Sequence, residues 1–189
     1  MNSNETLNVI DVDKIGSATS PLGLTKTVAF TTATRTPNAG DVVVVRALTD
    51  SATYNMLELP TGRLAKINPG DLLLGVLGSR RALKGFVGDV PSTINRGDQL
   101  HLLNMGGVIG CCTGHHSSLG DAIKLEVVGL VADENGRVQN IADSALAPQT
   151  ALGESAVRSI GGARGGSRCV LHHVGFDRRP QARRAPAGD

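Results

Sequence analysis

Apolar positions along this chain come in short runs, six to nine residues long, cut apart by glycine-containing turns. Four of the runs begin on the same pair. Gly-Asp stands at Gly40 and Asp41 in NAGDVVVVRAL, at Gly70 and Asp71 in NPGDLLLGVLG, at Gly97 and Asp98 in NRGDQLHLLN, and at Gly120 and Asp121 in SLGDAIKLEVVGLV. Glycine supplies a positive φ without steric cost, an aspartate carboxylate bonds neighbouring backbone N–H groups, and the β-branched or alternating residues beyond the pair favour an extended chain. The separations of 30, 27 and 23 residues are too uneven for a solenoid repeat. The pairs therefore predict a common way of starting strands within one multi-stranded sheet.

Further runs fill the gaps. YNMLELP and RLAKI flank the short loop Pro60, Thr61, Gly62, which suits a hairpin, and LKGFVGDVP and GGVIGCC add two more strands. LEVVGLVADENGRVQNI carries a hairpin signal at Glu134, Asn135 and Gly136. Helical periodicity is confined to Ser79–Lys84, SRRALK, enough for one or two turns, and crossover helices of a parallel βαβ architecture have no room. The pattern predicts an all-β domain, a β-sandwich or barrel of about eight to nine mostly antiparallel strands, over residues 25–145. Residues 1–24 read as a polar N-terminal arm whose one apolar run, LNVIDV, suits an edge strand. From 146 to 189 the pattern collapses into a linker and an Arg/Gly/Pro-rich tail. Such a composition buries too little apolar surface to offset chain entropy, so a disordered tail is expected from about Gly153.

Charge sharpens that boundary. Residues 1–152 hold 12 Lys and Arg against 14 Asp and Glu, whereas residues 153–189 hold seven Arg against three acids, so the basic character belongs to the tail. Apolar stretches are too short to span a membrane, the polar and acidic start is unlike a secretory signal, and three cysteines do not make a disulfide framework; a cytoplasmic protein with reduced thiols is expected. Four aromatic residues leave almost no stacking platform for single-stranded nucleic acid.

The densest chemistry is GCCTGHHSS, residues 110–118. Cys112, His115 and His116 are candidate metal ligands, with His101 or Cys169, His172 and His173 needed to complete a sphere. Adjacent Cys111 and Cys112 on a strand point to opposite faces and do not share one ion. The same thiol and imidazoles also suit a thiol-dependent enzyme, although no third orienting group is identifiable in the sequence. Arg80, Arg81 and Lys84, after Gly78 and Ser79, form a candidate anion-binding cluster. No G-x-x-x-x-G-K-[ST] phosphate loop occurs. The arginine-rich tail is a candidate contact for RNA or a protein partner.

The order of these runs carries a resemblance. Leu59-Pro60-Thr61-Gly62-Arg63, Pro69-Gly70-Asp71, Gly78-Ser79-Arg80, Val90-Pro91, Gly106-Gly107 and the stretch Val128 to Arg137 look like the N-terminal β-rich domain of a group of uncharacterised bacterial P-loop NTPases, over residues 40 to 150. The resemblance implies a non-catalytic accessory domain that works beside a nucleotide domain, with no cofactor of its own. In such NTPases a Pro-containing linker leads to a strand and a phosphate-binding loop. Here APQTALGESA looks like that linker, but the residues after it have the Arg, Ala, Gly and Pro bias of GC-rich coding sequence read out of frame. A truncated or frameshifted relative is therefore expected, with the protein's partner being the missing domain.

Overall fold

The structure, a computed structural model, describes residues 7–51 and 54–144. The tail and linker expectations lie outside the described residues. Among the described residues eleven strands form, nine of them in one mixed sheet and two in a separate hairpin. In chain order they are β1 (Asn8–Asp11), β2 (Lys14–Ile15), β3 (Thr27–Thr31), β4 (Val42–Ala47), β5 (Met56–Glu58), β6 (Leu64–Lys66), β7 (Leu72–Leu77), β8 (Phe86–Asp89), β9 (Gln99–Leu102), β10 (Val108–His115) and β11 (Lys124–Val131).

Five strands close into a ring. β11 pairs antiparallel with β4, β4 with β7, β7 runs parallel to β10, β10 pairs antiparallel with β9, and β9 returns antiparallel to β11. Closure removes the sheet's free edges over these strands. The interior holds Val43, Val45, Leu73, Leu77, Leu100, Leu102, Ile109, Leu125 and Val127. A second core lies outside the ring, where β1, β3 and the N-terminal turns cover Val42, Val44, Leu74, Val128 and Val131. This double covering explains the unbroken valine run of β4. Val42 to Val45 are all fully buried, alternately into the barrel and into the outer layer, so a strand without polar alternation is what the fold requires. Each such side chain contributes about 1.5–3 kcal/mol through removal from water.

Three of the four Gly-Asp pairs prove to be one device. In Asn38–Asp41, Asn68–Asp71 and Asn95–Asp98 the aspartate carboxylate accepts from the asparagine backbone N–H at 2.8, 2.6 and 2.7 Å. The glycine between them takes φ of +94°, +94° and +89°, so its own N–H can donate to the neighbouring strand, to Leu77, Ala47 and Val127 respectively. Leu77, Ala47 and Val127 in turn donate to the carbonyls of Asp41, Asp71 and Asp98. The turn that starts β4 thus locks the end of β7, and the turn that starts β7 locks the end of β4. Asp41, 4% exposed, also accepts from the Asn140 side-chain amide at 2.8 Å, which ties the 3-10 turn Ile141–Ser144 to the barrel. Gly120-Asp121 does not repeat the pattern. Gly120 comes directly after the short 3-10 turn Ser117–Leu119, and Asp121 lines a surface recess instead.

Residues 7–24, expected as an arm with one edge strand, belong to the same compact unit as the barrel. β1 is the edge strand anticipated from LNVIDV, pairing only with β3, while β2 runs parallel to β7 and the 3-10 turn Ser17–Leu22 buries Thr19. Gly16 and Gly107 make this docking possible. A Cβ on Gly16 would stand 2.8 Å from the Gly106 carbonyl oxygen, and one on Gly75 would stand 2.5 Å from that of Gly107. Ser79–Lys84 is not helical. Arg80 exchanges backbone hydrogen bonds with Gly88, so the segment is the outgoing arm of a hairpin that returns as β8. The Asp133–Gly136 turn forms as expected, closed by Gly136 N–H to the Asp133 carbonyl at 2.9 Å, with Gly136 at φ +79°.

Candidate functional site

β10 carries the cysteine–histidine stretch past the end of the barrel. Up to Cys112 the strand keeps ordinary alternation. Cys111 turns inward against the barrel core, and Cys112 turns outward against Phe86, Leu103 and Ala122. The pairing with β8 then shifts between Cys112 and Gly114, so Thr113 is an extra residue that re-aims the rest of the strand. His115 consequently lies opposite Phe86, ring centroids 5.7 Å apart, and Phe86 in turn meets Tyr54 edge-on at 5.2 Å.

The three candidate metal ligands are divided by this geometry. Cys112 and His115 line one open recess of ≈ 310 Å³ together with His101, Asp121, Ala122 and Lys124. His116 belongs to the adjoining groove with Leu83 and Val87, which His115 also lines, so it is Cys112 and His116 that fall on different sides. In that groove the His116 Nδ1 accepts from the Ser118 backbone N–H at 3.3 Å, which makes His116 the N-terminal cap of the 3-10 turn. The Cys112 thiol lies 3.5 Å from the Gly114 carbonyl oxygen, to which it donates. Among the described residues no three His, Cys, Asp or Glu side chains are grouped so as to hold a metal ion. Cys169, His172 and His173 lie outside the described residues.

His101 is the half-buried centre of the recess. On β9 it stands opposite Gly110 of β10 and opposite Lys124 of β11, and its Nδ1 accepts from the Cys112 backbone N–H at 3.4 Å. Burial holds its imidazole below the usual histidine range; the Lys124 ammonium lowers it further, against a smaller upward pull from Asp121. Cys111 is pushed the other way, above the usual thiol range, by burial and then by the carboxylates of Asp89 and Asp98. A thiol pushed up in this way is a poorer nucleophile, so Cys111, packed against the barrel core, is the less favoured candidate, and Cys112 is the one that lines the recess.

The arginine cluster does not converge on a shared point. The Arg80 guanidinium donates to the Leu103 carbonyl and lies over the Tyr54 ring at 5.9 Å. Arg81 donates to the Gly88 carbonyl at 2.9 Å and pairs with Asp89 at 2.7 Å, and this partner holds the Asp89 carboxyl below its ordinary value. Lys84 is exposed on the turn beyond them. Two of the three cations thus brace the β8 hairpin.

The sequence points to Cys112, His115 and His101 but not to Lys124 or Asp121 as members of the recess. The Gly-Asp context of Asp121 reads as a strand start and hides its place in the recess. Lys124 becomes visible only once β9 and β11 are known to be neighbours. Comparison with known proteins adds no relative: no protein-family model, no curated protein and no solved structure matches the chain.

Proposed function

We propose that the barrel is a non-catalytic accessory domain, like the N-terminal module of the P-loop NTPases it resembles, and that in intact relatives it positions a substrate or subunit for the adjoining nucleotide domain. The observation that carries this reading is where the shared motifs fall. Leu59–Arg63 is the turn between β5 and β6, closed by Gly62 N–H to the Leu59 carbonyl. Pro69-Gly70-Asp71 starts β7 and locks β4. Gly106-Gly107 makes the β9–β10 turn on which Gly16 and Gly75 pack. Arg80 braces Leu103, and Val128 to Arg137 runs through β11 into its closing turn.

Each of these is a turn, a strand end or a brace, while His101, Cys112, Asp121 and Lys124 fall outside the motifs. Residues of that kind specify a scaffold, and chemistry is argued from sites, not scaffolds. The chain carries no phosphate loop in its sequence, so no nucleotide-binding residue is assigned to it. The test is to read the gene's other two frames beyond the codon for Ala156. The proposal expects G-x-x-x-x-G-K-[ST] after an apolar strand in one of them; its absence from both would remove the resemblance's functional content.

A further inference from the structure

The recess beside β9 and β11 holds charge that the scaffold leaves unused. Among the described residues the Lys124 ammonium, like the charged ends of other exposed cations such as Lys84 and Arg96, has no carboxylate within 4 Å, and Lys124 is the one of these three that lines the recess. Asp121 lines the same recess without forming that pair. Cross-strand from Lys124, the His101 ring accepts at Nδ1 from the Cys112 N–H. A neutral imidazole that accepts at one nitrogen bears its proton on the other, so Nε2 is a donor. An ammonium and an imidazole N–H are thus held on adjacent paired strands, with the second imidazole of His115 at the rim, around ≈ 310 Å³ of space.

The geometry points to a binding site for a compact dianion, the phosphate group of a small molecule, held between Lys124 and His101. Lysine serves such groups as a point charge, and a ring N–H fixed by a backbone donor supplies direction. The site also takes up a proton with its ligand. The groups facing His101 are Cys112 from β10, Lys124 from β11, Asp121 from the loop before it, and His115. In the free protein, burial and Lys124 together disfavour the imidazolium. A dianion offsets the lysine's repulsion and stabilises the imidazolium, so the bound-state histidine titrates higher than the free one. Affinity for the dianion therefore tightens as pH falls through that interval. This inference concerns a small ligand and stands independently of the accessory-domain reading.

The experiment titrates inorganic phosphate into the full chain while histidine ring signals are monitored by NMR. Saturable movement of His101 is expected, with His116, outside the recess, unmoved. Lys124→Ala, at an exposed position, should weaken binding about 10-fold or more, the worth of one charge-assisted bond, and Asp121→Asn should tighten it. Sulfate, whose charge is constant across the range, carries the pH arm and should bind tighter as pH is lowered from about 7.5 to about 5.5, where histidine charges. Any one of four results overturns the proposal: no saturable shift at His101, His116 moving in step with it, Lys124→Ala binding as the parent does, or sulfate affinity indifferent to pH.

Discussion

Replacing Asp41 by alanine tests whether the Gly-Asp turns hold the barrel together. The Asp41 carboxylate accepts from the Asn38 backbone N–H and from the Asn140 amide, both at 2.8 Å, in a position almost sealed from water. Its removal takes the side-chain acceptor from the Asn38 N–H and leaves the Asn140 amide with the Ala39 carbonyl at 3.0 Å. Hydrogen bonds to a charged group are worth about 1.5–3 kcal/mol each, and because the two share one carboxylate a combined loss of about 3–5 kcal/mol is expected. Against a total stability of about 5–15 kcal/mol this is a large fraction, and at about 2–4 °C per kcal/mol the melting temperature should fall by roughly 10 °C. With no tryptophan and a single tyrosine in the chain, urea unfolding is best monitored by far-ultraviolet circular dichroism. Asp98→Ala is the comparison, since Asp98 is less buried and its carboxylate accepts from Asn95 of its own turn; it should cost less. Hydrogen exchange adds a local reading. The Ile141 N–H, which donates to the Gly40 carbonyl at 3.0 Å, should lose protection in Asp41→Ala and keep it in Asp98→Ala. Equal losses in the two variants, or an Asp41→Ala protein within about 0.5 kcal/mol of the parent, the range of an ordinary surface change, would refute the reasoning.

Single contacts give further expectations. Gly75→Ala should destabilise by about 3 kcal/mol or more, because the new Cβ meets the Gly107 carbonyl and Ile109 at 2.5 Å, whereas Gly114→Ala, with open space around it, should be close to neutral; chemical denaturation of the pair checks this. At Asp71 burial pushes the carboxyl up, but Lys14 and the Asn68 donors outweigh it and hold it below its ordinary 3.8. That contribution is present above 3.8 and lost as pH falls through the lower folded value, so Asp71→Asn should flatten the acid limb of a stability–pH curve below about pH 4 while lowering stability at neutral pH. Limited iodoacetamide labelling read by mass spectrometry should modify Cys112, which faces the recess, before Cys111, whose thiol is pushed up.

Much of the fold was legible because its strand starts are chemically explicit. Glycine at positive φ beside a carboxylate that bonds backbone N–H groups reads directly from the Gly-Asp pairs, although the asparagine three residues earlier as the partner, and the exception at Gly120-Asp121, come only from the structure. The run Val42–Val45 announced a strand, but its burial on both faces, and hence the outer layer of β1 to β3, depends on a partner the run does not name. Parallel pairing of β7 with β10 was equally hidden, since no crossover helix links them and the connection passes through β8 and β9. Ser79–Lys84 misled because propensity for a short turn of helix yields to two backbone hydrogen bonds with Gly88. At the site, residue type alone proposed Cys112, His115 and His116 together. The pairing shifts at Thr113, which no spacing rule anticipates, and His116 lies beyond the strand as the cap of the 3-10 turn.

The most direct test of the accessory-domain account is to offer the purified full chain radiolabelled ATP and GTP with magnesium and measure release of phosphate. The account predicts none above buffer background, at any protein concentration. Turnover that scales with protein and disappears in Lys124→Ala or Cys112→Ala would contradict it and make the recess an active site.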